Sequence, residues 1–153
     1  MKYQDYERYF APVVTKETEI VVKNAKGLYI YDQEDNQYID FIQGIAVNAL
    51  GHCHPDVVKA IQDQAGKIIH ASMNIVSYET TMEFAKRLSE TTPGDLSVSF
   101  FSNGGAEATD GALKLAKVST GRPGIIAFRG SFHGRTIGAT SITGSKSRYR
   151  RRL

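Results

Sequence analysis

Cross-linking is almost absent from the chemistry of this chain: among 153 residues there is a single cysteine, Cys53, and no internal disulfide can form. A reducing compartment follows as the expectation, with the cytoplasm the ordinary one. No run approaches the ~20 consecutive apolar residues that a membrane-spanning helix needs. The opening stretch, Met1-Lys2-Tyr3-Gln4-Asp5-Tyr6-Glu7-Arg8, is polar and lacks the apolar core of a secretory leader. No membrane partner is expected. Internal repeats, low-complexity tracts and Gly/Ser/Pro-rich linkers are missing too, and one domain's worth of chain remains.

What is present is ordinary for a globular protein: 41% hydrophobic and 23% charged residues, enough to expect a buried core. The net charge of +3 raises the question of a nucleic-acid partner. Its placement answers it. Lys146, Arg148, Arg150, Arg151 and Arg152 crowd the end, and subtracting those five charges leaves −2 for the rest. A solvated basic tail is expected, and no nucleic-acid partner.

Along the chain, Glu19-Ile20-Val21-Val22-Lys23 reads as a strand. Residues Gly27–Asp32 and Gln37–Phe41 read as a hairpin around the polar turn Glu34-Asp35-Asn36. After Gly51-His52-Cys53-His54 the pattern becomes helical, with Pro55 suited to the first helical position. Val58, Ile61, Ala65 and Ile68 then share one face. A second helix starts at Glu79, with Met82, Ala85 and Leu88 inward, and stops before Pro93-Gly94. Beyond it the order is strand (Val98–Phe101), glycine turn, helix from Ala106, and a buried strand over Ile125–Phe128. That alternation predicts an α/β fold with a βαβ unit.

Three clusters carry possible chemistry. In Ser102-Asn103-Gly104-Gly105-Ala106-Glu107-Ala108, two glycines open the backbone to a ligand where a helix begins. A phosphate site and a plain helix-start turn, with Glu107 and Asp110 answering the helix dipole, both fit. Neither a Walker A sequence nor a G-x-G-x-x-G fingerprint occurs. In Gly130-Ser131-Phe132-His133-Gly134-Arg135-Thr136, a ring, an imidazole and a guanidinium follow a strand end. The ring suits a planar cofactor and the guanidinium a carboxylate; a packed Phe and a surface Arg fit equally. His52-Cys53-His54 offers metal donors, but neighbours in sequence cannot easily face one ion and no second Cys/His pair follows. No metal is expected.

Six segments in order resemble class III aminotransferases. They are Tyr38–Phe41, Gly44-Ile45-Ala46-Val47, Gly51–Pro55, Phe101–Ala108, Gly121–Ile126 and Phe132–Thr136. The resemblance covers the chain up to Arg150. It implies a partial fold-type-I pyridoxal-phosphate (PLP) transferase: N-terminal small-domain strands and helix, plus the beginning of the large-domain βαβ sheet. Residues 1–50 would form the N-terminal segment with its hairpin, and 51–153 the incomplete start of the PLP-binding large domain. By position, Gly105 and Ala106 match the backbone pair that cups the cofactor phosphate. Phe132 matches the ring stacked on the pyridine, and His133 its neighbour in the site wall. Arg135 matches the residue that takes a substrate carboxylate, and Ile45 lies in a segment similar to the substrate entrance.

The family usually has Ser where Gly104 stands and often Asn where Thr109 stands. Its Schiff-base lysine lies beyond the residues matched here, and Lys114, Lys117 and Lys146 do not match its motif. No catalytic residue is therefore expected in this chain, and the chain alone is expected to be inactive. The implied reaction moves an amino group from an amino acid to a 2-oxo acid such as 2-oxoglutarate, in a homodimer. The Gly44 segment and Phe-His-Gly-Arg look most similar to the 4-aminobutyrate branch. Acetylornithine/ornithine aminotransferase is the alternative, as is a truncated, non-catalytic remnant.

Overall fold

A computed structural model describes residues 2–13 and 16–151. Arg152 of the basic end lies outside them. The chain divides into two compact units, Met1–Ile75 and Val76–Leu153. This division by packing falls later than residue 50, where the family's domain boundary is expected.

The first unit begins with short 3-10 turns at Tyr3–Asp5 and Glu7–Tyr9. Its centre is an antiparallel sheet of β1 (Val22–Lys26), β2 (Tyr29–Asp32) and β3 (Gln37–Ile39), in that order. The expected first strand over 19–23 is displaced toward 22–26, because Lys26 pairs with Tyr29 and Ala25 with Ile30 across a tight turn. Gly27 makes the turn at φ 57°, a left-handed conformation that glycine adopts without a Cβ clash. The hairpin of β2 and β3 is where the alternation placed it, with Ile30 opposite Tyr38.

One side chain organises that second turn. The Asp32 carboxylate is buried and accepts from the N–H groups of Glu34 (3.0 Å) and Asn36 (2.9 Å) through Oδ1. Its Oδ2 accepts from Asn36 Nδ2 and the Tyr38 hydroxyl, both at 2.9 Å. The Asn36 amide, foremost among these donors, holds the Asp32 carboxyl below the ordinary carboxylate range against the opposing effect of burial. Two further elements complete the unit: a single turn α1 (Gln43–Ala46) and helix α2 (Pro55–Ala65), which starts on proline as its sequence predicts.

The second unit contains α3 (Glu79–Thr91), α4 (Gly105–Thr120) and α5 (Ile137–Ile142). Helix α4 ends on Gly121 at φ 68°, and the Gly121 N–H satisfies the Lys117 carbonyl. The glycine turn and α4 occur where expected, but neither Val98–Phe101 nor Ile125–Phe128 belongs to a strand. The expected buried strand is in fact open, with Ile126 101% and Phe128 87% exposed. A parallel strand is buried only after neighbours pair with both edges and helices cover both faces. Among the described residues no strand pairs with either segment. The earlier segment does touch helices: Phe101 stacks on Phe84 of α3 at 5.4 Å, and Phe100 lies against Gly111 of α4.

The expected core is correspondingly small. Among the described residues the buried ones are Asp32, Ala139, Thr140 and Thr143, with Ala139 the one hydrophobic residue. Met82, expected inward on α3, is exposed, whereas Ala85 and Leu88 are partly covered. The α2 stripe exists in sequence but is uncovered at Ile61 and Ile68. An amphipathic face gains nothing until a partner surface removes it from water.

Candidate active site

Packing in the second unit brings the glycine turn and the Phe-His-Gly-Arg segment together. The decisive position is Gly134. A Cβ there would sit 2.5 Å from Ala106 Cβ and 2.8 Å from Ala106 Cα, and φ is +130°. Only glycine tolerates both conditions. Two hydroxyls stitch the same contact: Thr109 Oγ1 donates to Gly105 O (2.9 Å) and lies 3.1 Å from His133 O. Thr136 Oγ1 approaches Ala106 O at 3.5 Å. From the other side, Thr143 Oγ1 accepts from the His133 N–H at 3.0 Å and donates to Ala139 O at 2.8 Å. The small buried core thus serves to seat residues 133–136 on the first turn of α4. At Gly138, too, any Cβ would run into the Asp110 carboxylate of α4.

The start of α4 suits an anion. Its N-cap, Gly104, is extended (φ −175°, ψ 167°) and makes no side-chain cap. The N–H groups of Gly105, Ala106 and Glu107 precede the first intrahelical bond, which runs from Ala108 N to Gly104 O. No heavy atom stands within 4 Å of a Cβ built at Gly104 or Gly105, so a ligand has room to approach the backbone. Glu107 is turned back to accept from Asn103 N (2.8 Å) and Nδ2 (3.1 Å), which braces the turn. The donors, the dipole and the open cradle fit a phosphate group.

Phe132 and Arg135 gather around Tyr149, a residue that the sequence did not single out. The Phe132 ring meets Tyr149 edge to face, centroids 5.8 Å apart. The Arg135 guanidinium lies 6.0 Å from the same ring, and that of Arg148 at 5.4 Å. The Arg148 guanidinium beside the phenol, with the nearby charges of Lys146 and Arg135, holds Tyr149 below the ordinary phenol value, against desolvation. An aromatic residue inside a basic cluster was the available signal for Tyr149. Thr109, Gly134 and Thr136 gave none beyond their place in the motifs.

Ile45 belongs to the first unit. It sits in α1, where Gln43, Gly44, Ile45 and Ala46 all have positive φ (49°, 62°, 63° and 65°). The Ile45 side chain is 86% exposed. In the His-Cys-His segment, His52 Nε2 is engaged by Asp40 at 2.7 Å, and Cys53 is exposed. Among the described residues no group of three or more His, Cys, Asp or Glu is placed to hold a metal ion, and no helix is long and apolar enough to cross a membrane.

The family model for Aminotransferase class-III matches residues 10–153. The chain belongs to the class-III aminotransferases. It is 50% identical over 131 residues to an acetylornithine aminotransferase of Methanosarcina mazei, matching 86% of this chain and 32% of that protein. A 5-aminovalerate aminotransferase of Pseudomonas aeruginosa is 40% identical over 126 residues, 82% of this chain and 30% of the relative. Among solved structures, the taurine:2-oxoglutarate aminotransferase of Bifidobacterium kashiwanohense, in complex with PLP and glutamate, superposes with a TM-score of 0.84. The identity is 30%, and the match covers 95% of this class-III chain and 32% of that one. The chain therefore has the fold-type-I transaminase path, although residues 98–101 and 125–128 pair with no strand among the described residues. It spans about a third of the length of the curated relatives it matches.

Proposed function

We propose that this chain supplies the cofactor-phosphate cradle, the ring-stacking face and the carboxylate-binding arginine of a PLP-dependent aminotransferase. The reading rests on one observation above all: Gly134 seats Phe132–Arg135 against the uncapped first turn of α4. Gly105 and Ala106 donate backbone N–H groups to the cofactor phosphate. Phe132, half exposed, offers a face to the pyridine ring, and His133 lines the wall beside it. Arg135 holds the substrate carboxylate in a two-point grip, and Ile45 borders the substrate entrance. Bound in this cradle, PLP supplies the electron sink for amino-group transfer.

The donor belongs to the acetylornithine/ornithine branch, and the acceptor is a 2-oxo acid such as 2-oxoglutarate. Identity of 50% with an acetylornithine aminotransferase supports this, and it replaces the expectation of a 4-aminobutyrate-like donor. That expectation rested on the segment around Gly44 and the Phe-His-Gly-Arg sequence. We place no catalytic residue among Lys114, Lys117 and Lys146, so the chain alone transfers no amino group. The working enzyme is a cytoplasmic homodimer, with residues 1–50 in its N-terminal segment and 51–153 opening its large domain.

Arg135 provides the test. In a chimaera, residues 1–150 replace the matching third of the Methanosarcina mazei enzyme. Arg135→Lys is expected to lower kcat/KM for carboxylate-bearing donors about ten- to a hundredfold, the cost of a charge-assisted hydrogen bond. The cofactor spectrum should not change. A monoamine donor without a carboxylate should be nearly indifferent. Equal losses for both donors would mean a packing defect and would remove Arg135 from the substrate site.

A further inference from the structure

The turn that carries Ile45 is held in a conformation its sequence resists. A β-branched residue at φ 63°, ψ 56° is an outlier, since its Cβ crowds the backbone in the left-handed region. Here four residues in succession adopt positive φ, and only one of them is glycine. Such a segment persists only where its surroundings impose it.

Those surroundings are specific. Asp40 Oδ1 accepts from both the Ile42 and Gln43 N–H groups, each at 2.9 Å, at the point where the chain enters the turn. Its Oδ2 is engaged at 2.7 Å by His52 Nε2, which donates because a carboxylate can only accept. Both side chains are mostly covered, 12% exposed for Asp40 and 20% for His52. Neither floats. The Asp40 N–H donates to Leu28 O at 2.8 Å. His52 exchanges both backbone hydrogen bonds with Gly27, at 2.8 and 2.9 Å. A Cβ at Gly51 would press on the Gly27 backbone at 3.0 Å, so the two strands of chain are in close contact there. The β1–β2 hairpin therefore anchors both ends of the brace.

We propose that Asp40 and His52 are positioning residues, a paired brace that imposes the left-handed turn 43–46 and thereby fixes where Ile45 is presented. The brace touches no reacting atom. It determines specificity by setting the place of an apolar wall, and this functional half rests on the reading of Ile45 as a substrate-entrance residue. Without the brace the turn relaxes toward ordinary right-handed backbone and Ile45 moves.

Amide hydrogen exchange on the full 153-residue chain tests the structural half. In the parent, the Ile42 and Gln43 amides are expected to be protected. His52→Ala should accelerate their exchange about tenfold or more, with Val47 and Asn48 following, relative to Ala25 and Lys26 in β1. His52→Gln, which keeps a side-chain N–H donor, should recover part of the protection. Ile45→Ala should leave all of it. Should His52→Ala unfold the unit, Asp40→Asn supplies the same comparison, because it keeps one acceptor and loses the charge. Unprotected Ile42 and Gln43 amides in the parent, or no response to any brace variant, would overturn the proposal. In the chimaera, His52→Ala and Ile45→Ala should both raise the donor KM with kcat little changed. A KM response to Ile45→Ala alone overturns the brace. If exchange responds but neither variant moves KM, the reading of Ile45 fails and the brace survives.

Discussion

The three-stranded sheet of residues 22–39 and the segments 98–101 and 125–128 draw on the same apolar, branched and aromatic residues, yet among the described residues only the first forms strands. Tyr29, Ile30 and Tyr31 pair on both sides within a dozen residues of chain, closed by Gly27 and by the Asp32-organised turn. Val98–Phe101 and Ile125–Phe128 are separated by the whole of α4 and have no ladder partner among the described residues. Strand propensity is a preference for a half-buried pleated surface, and it yields a strand only when a neighbour is supplied. Short loops supply that neighbour at little entropic cost; long crossovers need a sheet to return to. The second unit is held instead by packing of α4 against α5 and the loop before it, and its candidate site depends above all on one glycine contact.

The largest expected effect follows from that dependence. Gly134→Ala forces a side chain into Ala106 at a backbone angle disfavoured for any residue with a Cβ. It should destabilise the second unit by about 2–5 kcal/mol, combining overpacking with backbone strain. Gly124→Ala, at a position with open space and no positive φ, is the control and should be near neutral. Urea unfolding midpoints compare the two. Equal midpoints would show that the seat on α4 contributes no stability.

Acid should act mainly on the other region. Donors hold Asp32 (Asn36 foremost) and Asp40 (the Gln43 N–H foremost, then His52) below the ordinary value of 3.8. Their folded values lie below their unfolded ones, so the stability they add is present above that value. It is lost as pH falls through the folded values. Amide exchange followed from about pH 5 to about pH 2 should show β2, β3 and the turn 43–46 opening before α4. Opening of α4 first would contradict the placement of these carboxylates as the first unit's principal polar anchors.

The smallest effect is expected at the unpaired segments. Phe128→Lys, at a side chain 87% exposed, should change stability by no more than about 0.5 kcal/mol, read from the same urea midpoints. A loss of several kcal/mol would mean that Ile125–Phe128 is already buried in a sheet, and the contrast between the two regions would collapse.

Local chemistry was the legible part. Pro55 at a helix start, the Glu34-Asp35-Asn36 turn and the glycine-led start of α4 all depend on a few adjacent residues, and all occur where the sequence placed them. The exposure of Ile126 and Phe128 was not legible, because burial is decided by partners distant in sequence or outside the chain. At the candidate site, Gly105, Ala106, Phe132, His133 and Arg135 could be singled out by motif. The Gly134–Ala106 contact that brings the segments together could not, since nothing in a one-dimensional pattern marks a missing Cβ as a seat. Tyr149 was hidden for a related reason: its meaning comes from Phe132 and Arg135, which approach it only after folding.

The phosphate cradle at the start of α4 is the centre of the account, and a titration with pyridoxamine 5′-phosphate tests it directly. This ligand carries the cofactor's ring and phosphate but no aldehyde, so surface lysines cannot trap it. A Cβ at Gly105 meets nothing within 4 Å, so the branch point of Gly105→Val has open space while the side chain stands between the ligand and the backbone N–H groups. Calorimetry should show saturable binding to the parent chain and an affinity about tenfold or more weaker for Gly105→Val, with unchanged urea midpoints. Equal affinity in the two proteins, or no binding to the parent, would contradict the assignment.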